Sequence, residues 1–481
     1  MTAAAEPSDD SRLPPALITL LLVVFINMVG FGLVVPLLPF FARSLNAPEW
    51  QVTLMFSAYS LGQFMGEPFW GRLSDRIGRK PVLLVTLLAN VVGYFALAFA
   101  PTIWIAIAVR LFTGFGAGNI STCQAYIADV TAPAKRTARM GLIGAAFGFG
   151  FIVGPGLGGL LTHAEQGRIG FQIPLFVAGA LAAAAALGVM LVLKESRTHA
   201  PPAQPPWAAL GDAFRNPVIS RVLLVSLIYM GGFSGMEAAF GLWAEARFDW
   251  GAPQVGWCFM AVGIVSAVTQ AMVTGRLAAR FGETRMLAVG VLLFGSMLAL
   301  QTVNTVQLVV PVLMAVGAFG MSMAMPNIAA IISQASPAGR QGSMLGLNMA
   351  ASSGARVIGP MVAGFTYSAL GHNWPFWLGA VPRSMVACGA RSAPWPTPLS
   401  KPSRARISAR RSWRCSRTAS AATSRSPLRR TQPPGRRCRK RQARNWLSAM
   451  RWPPGAWTAR CRRGRSMPIA AARAWRTMRR H

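Results

Sequence analysis

The sequence predicts an all-α polytopic membrane protein, built as a 6+6 helix pseudo-repeat with the twelfth helix truncated or missing. Three observations lead there. Of 481 residues, 53% are hydrophobic and the mean hydropathy is +0.41, too evenly apolar for a soluble domain of this size. A bilayer core needs roughly 20 apolar residues per helix, and eleven segments supply them, at about 16–41, 50–70, 81–100, 102–128, 140–161, 172–193, 219–243, 254–275, 286–304, 306–331 and 344–369. The second half also echoes the first. Gly275-Arg-Leu-Ala-Ala-Arg-Phe-Gly282 follows Gly71-Arg-Leu-Ser-Asp-Arg-Ile-Gly78 at an offset of 204, which also relates Pro337 to Pro133 and Arg340 to Arg136. Gly359-Pro360 follows Gly154-Pro155 at an offset of 205. Parallel repeats of this kind place a shared site between the halves, near the midplane.

Positive charge orients these segments. With the N-terminus inside, inner loops hold fifteen Lys and Arg, including Arg72, Arg76, Arg79, Lys80 and Arg340, against Arg43, Arg168 and Arg247 outside. That bias fits a bacterial inner-membrane protein with a cytoplasmic N-terminus. The chain then divides into a cytoplasmic start (1–15), a first bundle (16–193), a polar, proline-rich linker (194–218), a second bundle (219–380) and a tail (381–481). No small-residue cleavage site follows the first segment, so it is expected to stay as a helix.

The formal charge of +34 is not spread evenly. The tail holds 27 of the 48 basic residues and none of the 14 acidic ones, leaving residues 1–380 at a net +7. Only Lys401 and Lys440 are lysine in the tail. Arg, Pro, Ala, Gly, Trp and Cys are what GC-rich DNA tends to encode out of frame, so the tail reads as a disordered frameshift product starting near Val381. A genuine arm binding nucleic acid or anionic lipid is the alternative. The apolar run Trp374–Ala380 meets Pro382 and Arg383, which makes a twelfth span marginal.

Enzymatic chemistry is not in view. His163, His199, His372 and His481 lie in loops or termini with no nucleophile arranged beside them. Cys388, Cys415, Cys438 and Cys461 lack ligand spacing, and Cys123 and Cys258 sit in apolar spans as packing residues. No metal site and no cofactor is expected.

Candidate functional residues are polar or glycine positions inside apolar spans. Arg110 lies well inside the fourth span, where a buried arginine usually faces a cavity or a carboxylate. Gln124 returns to within about 40° of it on an unbroken helix. In the seventh span Tyr229, Phe233, Glu237, Phe240 and Trp243 fall at about 0°, 40°, 80°, 20° and −40°, an aromatic stripe with a carboxylate suited to a lipophilic cation and to proton carriage. Packing or lipid contact is the other reading of those aromatics. Tyr59, Gln63 and Glu67 recur on the second span, Asn27 marks the first, and Arg356 is a further buried charge for which Glu237 is one possible partner. In the fifth span Gly141, Gly150, Gly154, Pro155, Gly158 and Gly159 form a face that lets a neighbouring backbone approach.

The spacing Gly71-x3-Asp75-Arg76-x-Gly78-Arg79-Lys80, preceded nine residues earlier by Gly62, resembles the loop between helices two and three of the major facilitator superfamily of transporters. The glycine pattern of the fifth span resembles that of its drug-proton antiporters, rather than its symporters. From about Ala16 to Gly379 the chain is similar to the tetracycline-efflux subfamily, through Gly30-Phe-Gly32-Leu-Val-Val-Pro36-Leu-Leu-Pro39, Tyr126-Ile-Ala-Asp129, Val273-Thr-Gly275 and Arg280-Phe-Gly-Glu283. The resemblance implies a monomer in the bilayer that exports a lipophilic drug-like small molecule for protons. Gating would fall to Gly71, Asp75, Arg76, Gly78 and Arg79.

It does not imply tetracycline. The subfamily's membrane aspartates fall on Asn27, Gly93 and Leu293 and its helix-eight histidine on Ser266, so coupling would move to Glu237, Arg110, Asp129 or Glu67. An uptake symporter, a membrane-anchored protein with a binding tail, and a non-functional frameshifted product are the competing expectations. Nucleic acid is not the expected partner.

Overall fold

A computed structural model describes residues 15–131, 133–196, 210–336 and 340–380. Its helices are α1 (Pro15–Val34), α2 (Leu38–Ser44), α3 (Glu49–Ile77), α4 (Arg79–Ala98), α5 (Ile103–Ala117), α6 (Ile120–Val130), α7 (Pro133–Leu161), α8 (Arg168–Val192), α9 (Leu210–Arg215), α10 (Pro217–Phe248), α11 (Ala252–Val268), α12 (Gly275–Phe281), α13 (Glu283–Val303), α14 (Val309–Ala335), α15 (Gln341–Leu370) and α16 (Trp374–Ala380). A π-helical turn, Thr269–Thr274, joins α11 to α12. The described residues contain no strand. The expected cytoplasmic start, most of the linker and the 381–481 tail, with its proposed frameshift, lie outside the described residues. For the twelfth helix, the seven residues of α16 are described.

Several expected boundaries move for local reasons. The first span, expected over 16–41, turns at Val35–Leu37 around Pro36, which lacks an N–H for the helical ladder. The stretch expected as a loop, Gly71 to Lys80, is helical except at one residue. Gly78 has φ of 110°, and its N–H bonds the Ser74 carbonyl at 3.2 Å. Gly282 does the same in the second half, with φ of 84° and a 2.9 Å bond to Ala278. A positive φ is free only to glycine, so one residue per half suffices to turn the chain.

The fourth span is also interrupted. Gly118 and Asn119 separate α5 from α6, and the buried Asn119 side chain donates to Thr86 Oγ1 at 3.1 Å and accepts from Asn27 at 3.5 Å. Extrapolating one helical wheel from Arg110 to Gln124 therefore fails. Beyond the linker, α10 begins at Pro217 rather than 219, because Asn216 Oδ1 caps the Val218 and Ile219 N–H groups at 3.0 and 3.3 Å.

Nine of the described helical stretches are long and apolar enough to cross a membrane, against the eleven expected. The helices α3 and α15 are long enough, at 29 and 30 residues, but more polar. On one side α3 and α15 pack on each other across the two halves.

Among the described residues, the close glycine contacts between the halves gather toward one end. On α7, a Cβ at Gly154 would stand 2.7 Å from the Val29 carbonyl, and one at Gly150 would stand 2.6 Å from Met28 Cβ, so α1 lies directly on this glycine face. Further along, Gly159 abuts Pro253 and Gly263 abuts Phe151 and Ile152, bringing α7 onto α11 of the other half. Yet a Cβ at Gly141, Gly144 or Gly148 on α7, or at Gly275 on α12, would meet nothing within 4 Å. The same two stretches thus meet at the end bearing Gly159 and part toward the end bearing Gly78 and Gly282.

Candidate functional site

Where the halves meet, a small cavity of about 10 Å³, room for about one water, is lined by α1, α3, α5, α10 and α15. Arg110 and Glu237 line it and are 1% and 4% exposed. Arg356 joins them from α15, and Ser234 lies one turn from Glu237 on α10. Two guanidinium groups, one from each half, thus share a cavity with one carboxylate.

The arginines are held by aromatic faces. Arg110 Cζ sits 4.3 Å from the Tyr59 ring centre, and Arg356 Cζ sits 5.8 Å from that of Phe31. The two rings are themselves 5.4 Å apart. The order is guanidinium, ring, ring, guanidinium across the interface, each contact attractive through the ring quadrupole.

Stacking leaves hydrogen-bonding capacity unused. Arg110 Nε and Nη2, Arg356 Nε and Glu237 Oε1 are buried without a hydrogen-bond partner among the described residues. No ion pair within 4.0 Å joins either arginine to Glu237. Buried charges left this incompletely paired are expensive, and such cost is typically tolerated at working sites.

The other expected site residues separate into groups. The aromatic stripe does not line the cavity. Tyr229 and Phe233 pack on Phe294, at 5.1 and 6.3 Å, and Phe240 packs on Phe259 at 5.5 Å. Trp243 bonds Asn373 at 3.0 Å and packs on Phe376. In this structure these four rings pack in the core and none lines the cavity. Glu237 stands at the edge of the stripe, so it faces the cavity while the rings turn inward. Gln63 bonds Glu67 at 3.3 Å on α3, Asn27 bonds Asn119, and Gln124 is half-buried on α6. None of Asn27, Gln63, Glu67 and Gln124 lines the cavity.

Asp129 lies elsewhere too. It accepts from Arg79 Nε at 3.2 Å, while Arg79 Nη1 bonds Asp75 at 2.6 Å and Ser74 at 2.7 Å. Glu195 receives the backbone N–H groups of Arg79 and Lys80 at 2.8 and 3.2 Å. Asp75, Ser74, Arg79, Asp129 and Glu195 thus form a cluster at one end of the first half, with Gly78 packed beside Glu195. Arg76 is exposed next to it, and Gly71 faces Ser121.

Two features were missed. Phe31 and Ser234 line the cavity, but a phenylalanine or serine in an apolar run carries no signal of its own. At the end where the halves touch, Arg43 reaches Glu245 at 3.4 Å and Glu49 at 3.8 Å. Arg43–Glu245 crosses between halves. Being partly exposed, it contributes at most about 1 kcal/mol.

A two-part helical bundle with its buried charges where the parts meet is the architecture of a membrane transporter, not of an enzyme. The Major Facilitator Superfamily pattern matches residues 20–271 and 222–433. The chain is 33% identical over 375 residues to the class G tetracycline resistance protein of Vibrio anguillarum, covering 75% of this chain and 92% of that one. It is 29% identical over 364 residues to multidrug resistance protein 1 of Bacillus subtilis (strain 168), covering 74% and 91%. Among solved structures, the human organic anion transporter MFSD10 superposes with a TM-score of 0.59 at 24% identity, covering 79% of this chain and 99% of that one. The chain belongs to the Major Facilitator Superfamily and is a multi-pass membrane transporter of small molecules.

Proposed function

We propose that this transporter exports an amphipathic, drug-like molecule in exchange for protons, alternating between states open at either end. The drug class follows the similarity to proteins named for tetracycline and multidrug resistance. The observation that carries the exchange is Glu237, the one carboxylate lining the cavity, set between arginines from both halves. A proton and a cationic group compete for that carboxylate, so binding one expels the other. The positive-inside count supports a cytoplasmic Gly78 end, and the open space beside Gly144 and Gly275 there supports an inward-open reading of this state. The expected two bundles (16–193 and 219–380) are then the rocking bodies, and Arg43–Glu245 is a contact the outward-open state breaks.

Tetracycline itself finds less support. Asn27 is engaged with Asn119, a Cβ at Gly93 would run into Thr113, and Leu293 packs on Gly320. No carboxylate stands at those three positions.

Everted membrane vesicles carrying the full chain test the reading. With an acid-inside gradient they should accumulate rhodamine B, and collapsing the gradient should release it; gradient-independent accumulation counts against exchange. In the same vesicles Asp75→Asn should slow uptake severalfold, because Arg79 loses its shortest ion pair. Ala279, its counterpart in the second half, has no charge to lose, and Ala279→Ser should transport normally. Equal effects at both positions would remove the Arg79 cluster from gating.

A further inference from the structure

We propose that the central cavity binds the head of a zwitterion, with its anionic group between Arg110 and Arg356 and its cationic group against Glu237. The proposal rests on the exporter reading and names its substrate class. The lining groups and their unmet valences carry it. Arg110 Nε, Arg110 Nη2 and Arg356 Nε are donors without an acceptor, and Glu237 Oε1 is an acceptor without a donor. A group that satisfies the three nitrogens must accept, and a carboxylate or sulfonate does so with two or more oxygens. A group that satisfies Glu237 must donate or carry positive charge.

Charge gives the same answer. Two guanidiniums and one carboxylate line the cavity, so it is net positive whether or not Glu237 holds a proton, and a simple cation meets more repulsion than attraction. A simple anion fits the arginines but is favoured when Glu237 is protonated, which would couple it to protons in the same direction. A zwitterion escapes both limits. Its anionic group is held by the arginines in every state, while its cationic group replaces the proton on Glu237, as exchange requires. Glu67 and the Tyr59 and Tyr94 rings also lie in the electrostatic field of these arginines, and Glu67, bonded to Gln63, is outside the lining.

Size limits what enters. In this state the cavity has room for about one water, about 10 Å³, so the charged head enters only as the halves part around it. Arg110 is held by the Tyr59 ring and Arg356 by the Phe31 ring, so each guanidinium keeps its orientation toward the cavity.

Three xanthene dyes test this on the purified full chain in nanodiscs, with empty nanodiscs as reference. Rhodamine B is the zwitterion, its methyl ester the cation and fluorescein the anion. Fluorescence anisotropy should show rhodamine B bound about tenfold or more tighter than either. Arg356→Gln should bring rhodamine B to the level of its ester, whereas Arg356→Lys should retain part of the preference. Glu237→Gln should bring it to the level of fluorescein. Equal binding of rhodamine B and its ester, a preference that survives Arg356→Gln, or no saturable rhodamine B binding overturns the proposal. Gradient-driven uptake of the ester alone by everted vesicles would overturn it too, while leaving the exporter reading in place.

Discussion

Glu237→Gln will leave the protein in the membrane and reduce gradient-driven uptake in everted vesicles to that of vesicles without it. The substitution preserves shape and removes the only carboxylate that lines the cavity among the described residues. Buried at 4% exposure, Glu237 has no nearby acid to stand in for it. Asp129 is engaged by Arg79 at the bundle's end, and Glu67 is bonded to Gln63 outside the lining. Facilitated equilibration of dye down its own gradient should persist, because the route between the halves is intact. Unchanged proton coupling in Glu237→Gln would remove this residue from the mechanism.

Arg110→Lys will abolish transport as completely, although it keeps the charge. The guanidinium plane stacks on Tyr59 at 4.3 Å and carries two donors without partners; an ammonium can neither stack in that way nor present a fork. A fully buried lysine without a paired carboxylate also tends to lose its proton, whereas arginine does not. The expected loss is about 2–5 kcal/mol of binding, the range for truncating one member of a buried charged set. Transport is read in vesicles at matched expression. A near-normal Arg110→Lys protein would show that charge alone is needed there and that the stacked geometry is incidental.

Much of the frame was legible in advance because it rests on local rules. The repeated glycines at 78 and 282 were visible as a matched offset and turn out to have matched backbone geometry, each making the same bond four residues back. Arg110, Glu237 and Arg356 stood out because a charge in an apolar run is costly. Their meeting in one cavity was only a possibility in the case of Arg356. A helical wheel gives directions around one axis but not which neighbour stands there, and this is why Tyr229, Phe233, Phe240 and Trp243 read as a binding face while their rings pack in the core of this structure. It also fails across a break, as between Arg110 and Gln124, where Asn119 interrupts the helix in exchange for hydrogen bonds to Thr86 and Asn27. The polar character of α3 and α15 was a better guide than it seemed. Helices that fall short as lipid-facing spans are the ones that bring Tyr59 and Arg356 to the interface.

The account stands on two halves that move about the buried charges, and one distance tests it. Spin labels on Gly144→Cys of α7 and Gly275→Cys of α12, with native cysteines replaced, span the end where a Cβ at either position would point into open space. Pulsed electron resonance in nanodiscs should give a long and a short distance whose proportions shift when rhodamine B is added or the pH is changed, the long one corresponding to this structure. A single distance, unmoved by either, would contradict alternating access in this protein.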